Sequence, residues 1–203
     1  MRAAIGILAL GVCCTAIPAL AQDEPVAVFG TTVVIPSGLR GLVYHIKPDS
    51  GRLPDFTRLK PSGTIYTSSL NIPPQNFKAG FPGVTKRFEW FAIDYSGRFW
   101  IEKPGAYRFA LVSDDGARLE IDGHEIIDND GIHPAERRAG RVDLAGGIHQ
   151  IRVSYFQGPR FEVALILEVA GPGQDFRVFS TDEFKPPSNP ETWTFPAAKN
   201  NGK

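Results

Sequence analysis

The chain has 203 residues, and its 22 Lys and Arg are matched by 22 Asp and Glu, so it carries no formal net charge with histidine neutral. That balance removes the basic surplus on which nucleic-acid binding rests. A hydrophobic share of 42% excludes a chain too polar to bury a core.

Met1-Arg2 places one positive charge ahead of the apolar run 3–17, and Ala19-Leu20-Ala21 follows as an A-x-A cleavage pattern. This arrangement predicts a secretory signal peptide over residues 1–21, cut before Gln22. The run is short for a membrane span of ~20 apolar residues, so no stable membrane insertion is expected after cleavage. Val12 is too bulky for a lipoprotein reading of Leu10-Gly11-Val12-Cys13. The two cysteines, Cys13 and Cys14, both fall in this segment. The processed chain is therefore expected to carry no disulfide and no thiolate metal site. About 180 residues would remain, enough for one domain, in the periplasm or outside the cell.

Residues 22–38 read as an N-terminal segment with a flexible start. From 39 to 184 the dominant signal is period two, interrupted by Gly and Pro. Strands are expected at 41–46, 88–95, 97–101 and 141–144. Others are read from Tyr107, Phe109 and Leu111; from Leu119 and Ile121; from Ile151, Val153 and Tyr155; and from Phe161, Val163, Leu165, Leu167 and Val169. Lys103-Pro104-Gly105, Asp122-Gly123 and Ala145-Gly146-Gly147 supply turns. Residues 47–85 alternate little and read as irregular excursions around one short strand. No run sustains a helical face, so the fold class is all-β, an antiparallel sandwich with long irregular loops. Residues 185–203, opening Lys-Pro-Pro-Ser-Asn-Pro, form a tail, with Trp193 and Phe195 beyond the prolines.

The densest chemistry lies in Val112-Ser113-Asp114-Asp115-Gly116-Ala117-Arg118-Leu119-Glu120-Ile121-Asp122-Gly123. Adjacent carboxylates repel unless a positive charge sits between them, and a hard cation with oxygen ligands would satisfy both. The same residues also suit a plain turn, and both readings stay open on spacing alone. Asp128-Asn129-Asp130-Gly131 fails as an EF-hand, because Ile126 and Arg137 occupy positions that need oxygen ligands; it reads as a solvated loop. His45, His124, His133 and His149 lack metal spacing and read as surface or packing residues. No nucleophile elbow or phosphate-binding loop occurs. The two aspartates come from one loop and make a poor glycosidase pair, so no catalytic residue is assigned. Arg137, Arg138 and Arg141 form a small basic cluster, read as a solvated hairpin end or an anionic-glycan contact.

The order of these blocks resembles the PA14 domain family. The similarity runs from Gly41-Leu42-Val43-Tyr44, through Phe99-Trp100-Ile101-Glu102-Lys103-Pro104-Gly105-Ala106-Tyr107-Arg108-Phe109 and the Asp114-Asp115 block, to Ile127-Asp128-Asn129 and His133. It continues through Leu144-Ala145-Gly146-Gly147-Ile148-His149 and Ile151-Arg152-Val153-Ser154-Tyr155-Phe156. The resemblance implies an extracellular β-sandwich binding module of the kind found in adhesins, glycosidases, toxins and bacterial surface proteins. Several members bind sugar through a calcium ion held by the paired aspartates, whose peptide is cis. Carried over residue by residue, the metal ligands would be Asp114 and Asp115. Gln157 would stand for an Asn that completes coordination in calcium-dependent members. The sequence departs from the family pattern at Arg160, which brings a positive charge toward the cation, and at Asp130, where many members have Trp. Gln157, Arg160 and Phe156 would contact ligand, Phe156 by stacking unless a second loop buries it.

The expected partner is a glycan or cell-surface polysaccharide, with calcium as cofactor. The alternative is a structural or protein-interaction module of the cell envelope, in contact with another envelope protein and using neither calcium nor sugar. Intact-mass analysis of protein recovered from the secretory route should give a chain beginning at Gln22. Full-length chain retained in the cytoplasm would refute the export reading.

Overall fold

The computed structural model describes residues 28–159 and 162–192. The signal peptide with Cys13 and Cys14, the pair Arg160 and Phe161, and Trp193 and Phe195 lie outside the described residues.

The strands in chain order are β1 (Leu39–His45), β2 (Gly63–Thr67), β3 (Asn71–Asn76), β4 (Phe91–Ile101), β5 (Gly105–Asp114) and β6 (Ala117–Ile121). β7 (His124–Asn129), β8 (Glu136–Leu144), β9 (Gly147–Gln157), β10 (Glu162–Ala170) and β11 (Arg177–Val178) follow. One sheet has the order β2-β1-β4-β9-β6-β7, the other β11-β10-β5-β8 with β3 also paired to β10. Every strand pairing among the described residues is antiparallel. This is the expected all-β sandwich.

Period two explains the core. Leu119 and Ile121 on β6, Ile151, Val153 and Tyr155 on β9, Phe109 and Leu111 on β5, and Leu165 and Leu167 on β10 all point between the sheets and are buried. An aromatic cluster of Phe29, Phe77, Phe81, Phe91 and Tyr155 fills one end, with neighbouring ring centroids 4.8–6.1 Å apart. Gly41 is opposite Tyr95 in the ladder, and a Cβ on it would lie 2.6 Å from the Tyr95 ring. The Asp122-Gly123 turn has both residues at positive φ, 51° and 75°, as a two-residue hairpin of matching twist requires.

Four expectations need correction. The strands expected at 88–95 and 97–101 are one strand, β4; Gly97 interrupts the sequence pattern but leaves room for the Leu39 side chain, 2.7 Å from where a Cβ would stand. β8 extends back to Glu136; its first four residues, Glu136 to Ala139, are all exposed, so that half of the strand carries no inside–outside alternation to read. Asp128 and Asn129 belong to strand β7 instead of a solvated loop, and Asn129 is 1% exposed. Residues 47–85 hold two strands, and β3 carries two prolines against β10, a placement proline tolerates at a sheet edge. Residues from the 47–59 segment do more than skirt the surface. Leu53, Phe56 and Leu59 pack with Ile46, Trp90, Ala92 and Phe156 into a second apolar cluster on the outer face of the six-stranded sheet. Among the described residues no helix is long and apolar enough to cross a membrane.

Leu165 is fully buried and registers with Ser113 on β5 and Ile72 on β3. Leu165→Ala should cost roughly 2–5 kcal/mol of unfolding free energy in urea titrations. An unchanged transition midpoint would show that this strand face does not pack as described.

Candidate functional site

The chain passes from one sheet to the other at 114–116 between β5 and β6, at 130–135 between β7 and β8, and beyond Gln157 between β9 and β10. Hydrogen bonds from the second and third crossings converge on the first. Asp115 Oδ1 accepts from the backbone N–H of His133 at 3.3 Å, and Asp115 Oδ2 from the backbone N–H of Gly158 at 2.8 Å. Asp114 accepts from the backbone N–H of Ala135. The Asp114–Asp115 peptide is cis, and the two residues are 9% and 4% exposed.

Tyr155 links this end to the core. Its hydroxyl lies 2.6 Å from both the carbonyl oxygen of Asp114 and Oε1 of Gln157, so one phenolic proton serves two acceptors. The Gln157 amide nitrogen donates to the carbonyls of Pro159 (3.3 Å) and Glu162 (3.1 Å). Gln157 is 1% exposed and its whole amide is engaged inside the protein.

The electrostatics follow from burial. Desolvation, then the neighbouring charges of Asp115 and Glu162, push the Asp114 carboxyl up to about 6. Burial also raises Asp115, against the lowering effect of its two backbone hydrogen bonds. At His133 burial opposes the charged form. Hydrogen bonds from its ring to the carbonyls of Asn129 (3.0 Å) and Pro134 (2.9 Å), with the charges of Glu136 and Asp115, outweigh that and raise it. Two ring nitrogens facing two carbonyl oxygens favour an imidazolium, since both must donate. No Lys or Arg among the described residues contributes to the shift of either aspartate.

Of the residues expected at a site, the structure brings together Asp114, Asp115 and, through Tyr155, Gln157. Phe156 is fully buried beneath the 47–59 segment; with no free ring face, it is not a stacking surface, which corrects that expectation. Arg160 is outside the described residues. Among the described residues no group of three His, Cys, Asp or Glu side chains is suited to a metal. Any cation at the Asp pair would therefore take its further ligands from carbonyl, amide or hydroxyl oxygens, which suits a hard ion such as calcium.

Sequence reasoning missed three residues here. His133 was read as a packing or surface histidine. Asn129 donates to Ser113 Oγ at 2.8 Å and to the carbonyl of Glu136 at 3.2 Å, while its buried Oδ1 has no protein partner. Trp90, in a left-handed conformation (φ 54°), is half-buried just before β4. A Cβ on Gly158 would lie 3.1 Å from Asp115 Oδ2 and 3.5 Å from the Trp90 ring. Gly158 thus separates the Asp115 carboxylate from the indole, which packs into the outer apolar cluster with Phe156.

Residues 66–182 match the sequence model of the PA14 domain. The chain belongs to the PA14 domain family. Its sandwich is similar to that of a PA14 sugar-binding domain from an RTX adhesin, with a TM-score of 0.60 and 20% identity over 72% of this chain and 96% of that one. An anti-sigma factor domain-containing protein gives a TM-score of 0.59 at 22% identity; 76% of this chain aligns, spanning half the length of that protein. The Epithelial Adhesin 9 A domain from Candida glabrata, solved with Galβ1-3GlcNAc, gives 0.52 at 13% identity over 76% and 92% of the two chains. At such identities the likeness is one of fold. No curated protein sequence matches the chain.

The raised carboxyl of Asp114 has a defined sign. Its folded value lies above the ordinary 3.8, so its contribution to stability is complete below about pH 4 and is lost as pH rises through about 6. In chelator, Asp114→Asn should therefore gain stability relative to the wild type between pH 4 and pH 7. A carbon-13 titration of the Asp114 carboxyl should give a midpoint near 6; an ordinary aspartate midpoint would contradict the burial described.

Proposed function

We propose that this chain is an exported, non-catalytic binding module that holds carbohydrate through calcium on Asp114 and Asp115. The observation that carries this reading is the pair itself. Two adjacent buried carboxylates, surrounded by backbone N–H groups and raised by burial, have the His133 ring as their one cationic neighbour and no Lys or Arg partner among the described residues, so the pair keeps a net negative charge. A divalent ion would relieve their repulsion. Calcium takes six to eight oxygens, so two carboxylates leave positions for carbonyls and sugar hydroxyls. The sugar-binding PA14 domain and the disaccharide-bound adhesin domain support carbohydrate as the ligand class.

The residues divide the work. Asp114 and Asp115 would bind the ion, and the N–H groups of His133, Ala135 and Gly158 hold their carboxylates in place. Gln157 acts through Tyr155 as a positioning residue, since its amide oxygen is already engaged. Trp90, half-buried across Gly158 from Asp115, is the nearest aromatic candidate for contact with a bound sugar. Calcium, when bound, supplies a charge that orients hydroxyl oxygens.

The structural-module reading draws on one specific feature: Asp115 joins two crossings by accepting from a backbone N–H of each. Calcium separates the readings. At ~100 times its dissociation constant the ion should add about 2.7 kcal/mol to stability, and magnesium should add less. Asp114→Asn or Asp115→Asn should abolish both the increment and glycan-array binding. Calcium affinity should fall as pH drops below about 6, where Asp114 takes up a proton. No calcium-dependent shift and no sugar binding would leave the structural module as the function.

A further inference from the structure

The outer face of the six-stranded sheet carries a second feature, separate from the aspartate pair. A cleft of about 350 Å³ lies between the 52–57 segment and strands β6 and β9. Its size is at the lower end of small-ligand sites. The floor is set by register: Arg118 lies opposite Ser154, and Glu120 opposite Arg152. Cross-strand neighbours stand about 5 Å apart, so donors and acceptors alternate over a small grid.

These groups are held before any ligand arrives. Arg152 makes a two-pronged contact with Asp94, Nε to Oδ1 at 2.8 Å and a terminal nitrogen to Oδ2 at 3.1 Å, and its other terminal nitrogen lies 3.5 Å from Glu120. Ser154 donates to the same Asp94 at 3.1 Å. Arg118 pairs with Glu125 at 3.1 Å and Asp128 at 3.4 Å on the far side. On the rim, Asp130 Oδ1 accepts from the backbone N–H of Leu53 at 2.8 Å. The wall is the half-buried ring of Phe56, packed on Tyr44 at 5.1 Å, with the Arg152 guanidinium 5.8 Å away.

The chemistry of the occupant follows. Arg52, Arg118 and Arg152 balance Asp55, Glu120 and Asp130 in the lining, which gives a net anion or cation no advantage. An extended peptide would need an open sheet edge to pair with, and this cleft is on a sheet face. What remains unspent is hydrogen-bonding capacity: guanidinium N–H groups beyond those in use, second lone pairs on the carboxylates, and the Ser154 oxygen. Alternating fixed donors and acceptors beside an aromatic wall suit a small molecule rich in hydroxyl groups. We infer that this cleft is a calcium-independent binding site for a neutral saccharide unit, distinct from the Asp114–Asp115 pair.

The test is an amide chemical-shift titration of the protein with lactose, cellobiose and maltose, run in chelator and again in calcium. At least one disaccharide should shift the amides of residues 52–57, 118–120 and 152–154 in a saturable way. Glu120→Gln, a mild change at the surface, should weaken that binding by about tenfold or more, while Asp114→Asn leaves it intact. The inference fails if none of the three moves these amides, if the shifts appear only with calcium and centre on 114–116 and 158, or if Glu120→Gln binds as the wild type does. The second of these outcomes would leave the calcium reading standing; binding in chelator that survives Asp114→Asn supports the cleft whether or not calcium binds at the pair.

Discussion

The carboxylate of Asp115 is the tie on which this end of the molecule depends. A sandwich leaves its inter-sheet connections as separate loops, each with backbone N–H groups that the ladders do not use. Here three crossings meet, and one side chain accepts hydrogen bonds from two of them, at His133 and at Gly158. A buried carboxylate facing backbone donors gains charge-assisted bonds, and the His133 imidazolium supplies one positive charge against the two carboxylates of the pair. That tension gives the site its character: the loops are ordered by a group that still favours a cation.

Tyr155 carries this arrangement into the core. Its ring is fully buried beside Phe29 and Phe91, with centroids 5.5 and 6.1 Å away, so the hydroxyl cannot wander. Burial, followed by the charges of Asp115 and Asp114, holds the phenol protonated well above its ordinary range. It is therefore a fixed donor aimed at the Asp114 carbonyl and the Gln157 amide oxygen. Two of the three connections are tied to core packing through this one phenol, and Asp115 joins the 130–135 crossing to them, which is how a site made of three connections can be preorganised.

How much of this could be read from the residues depends on the range of the interactions involved. The alternation of Leu119 with Ile121, or of Ile151 with Val153 and Tyr155, is local, and those strands are found where period two puts them. The Asp122-Gly123 turn is likewise a two-residue matter. The aspartate pair stood out because neighbouring like charges are visible in any sequence. What could not be read was contact across long chain separations. Phe156 is out of phase with the inward residues of β9, so it looked available; the segment that buries it has no periodicity to announce a packing role. His133 reaches the Asp115 carboxylate only once the 130–135 crossing is in place, and Trp90 comes beside Gly158 only once β4 pairs with β9. Gln157 has the right chemistry for a ligand, but Tyr155, two residues earlier on the same face, claims its oxygen. The single signal that could have flagged His133 was its position in the block resembling the PA14 family.

The same period that builds the core also builds the cleft. On β6 the order Arg118, Leu119, Glu120 alternates outside, inside, outside; on β9 Arg152, Val153 and Ser154 do the same. Each outward polar group is thus separated by one residue from a side chain fixed between the sheets. A solvent-exposed row of arginines and carboxylates would ordinarily sample many rotamers, and isolated surface pairs contribute little to stability. Here the backbone beneath them cannot shift without breaking core packing, and the 47–59 segment closes one side with its own apolar cluster. Preorganisation lowers the cost of binding more than it adds contacts. By that argument the grid on this face is better suited to recognising a ligand than to holding the sheet together.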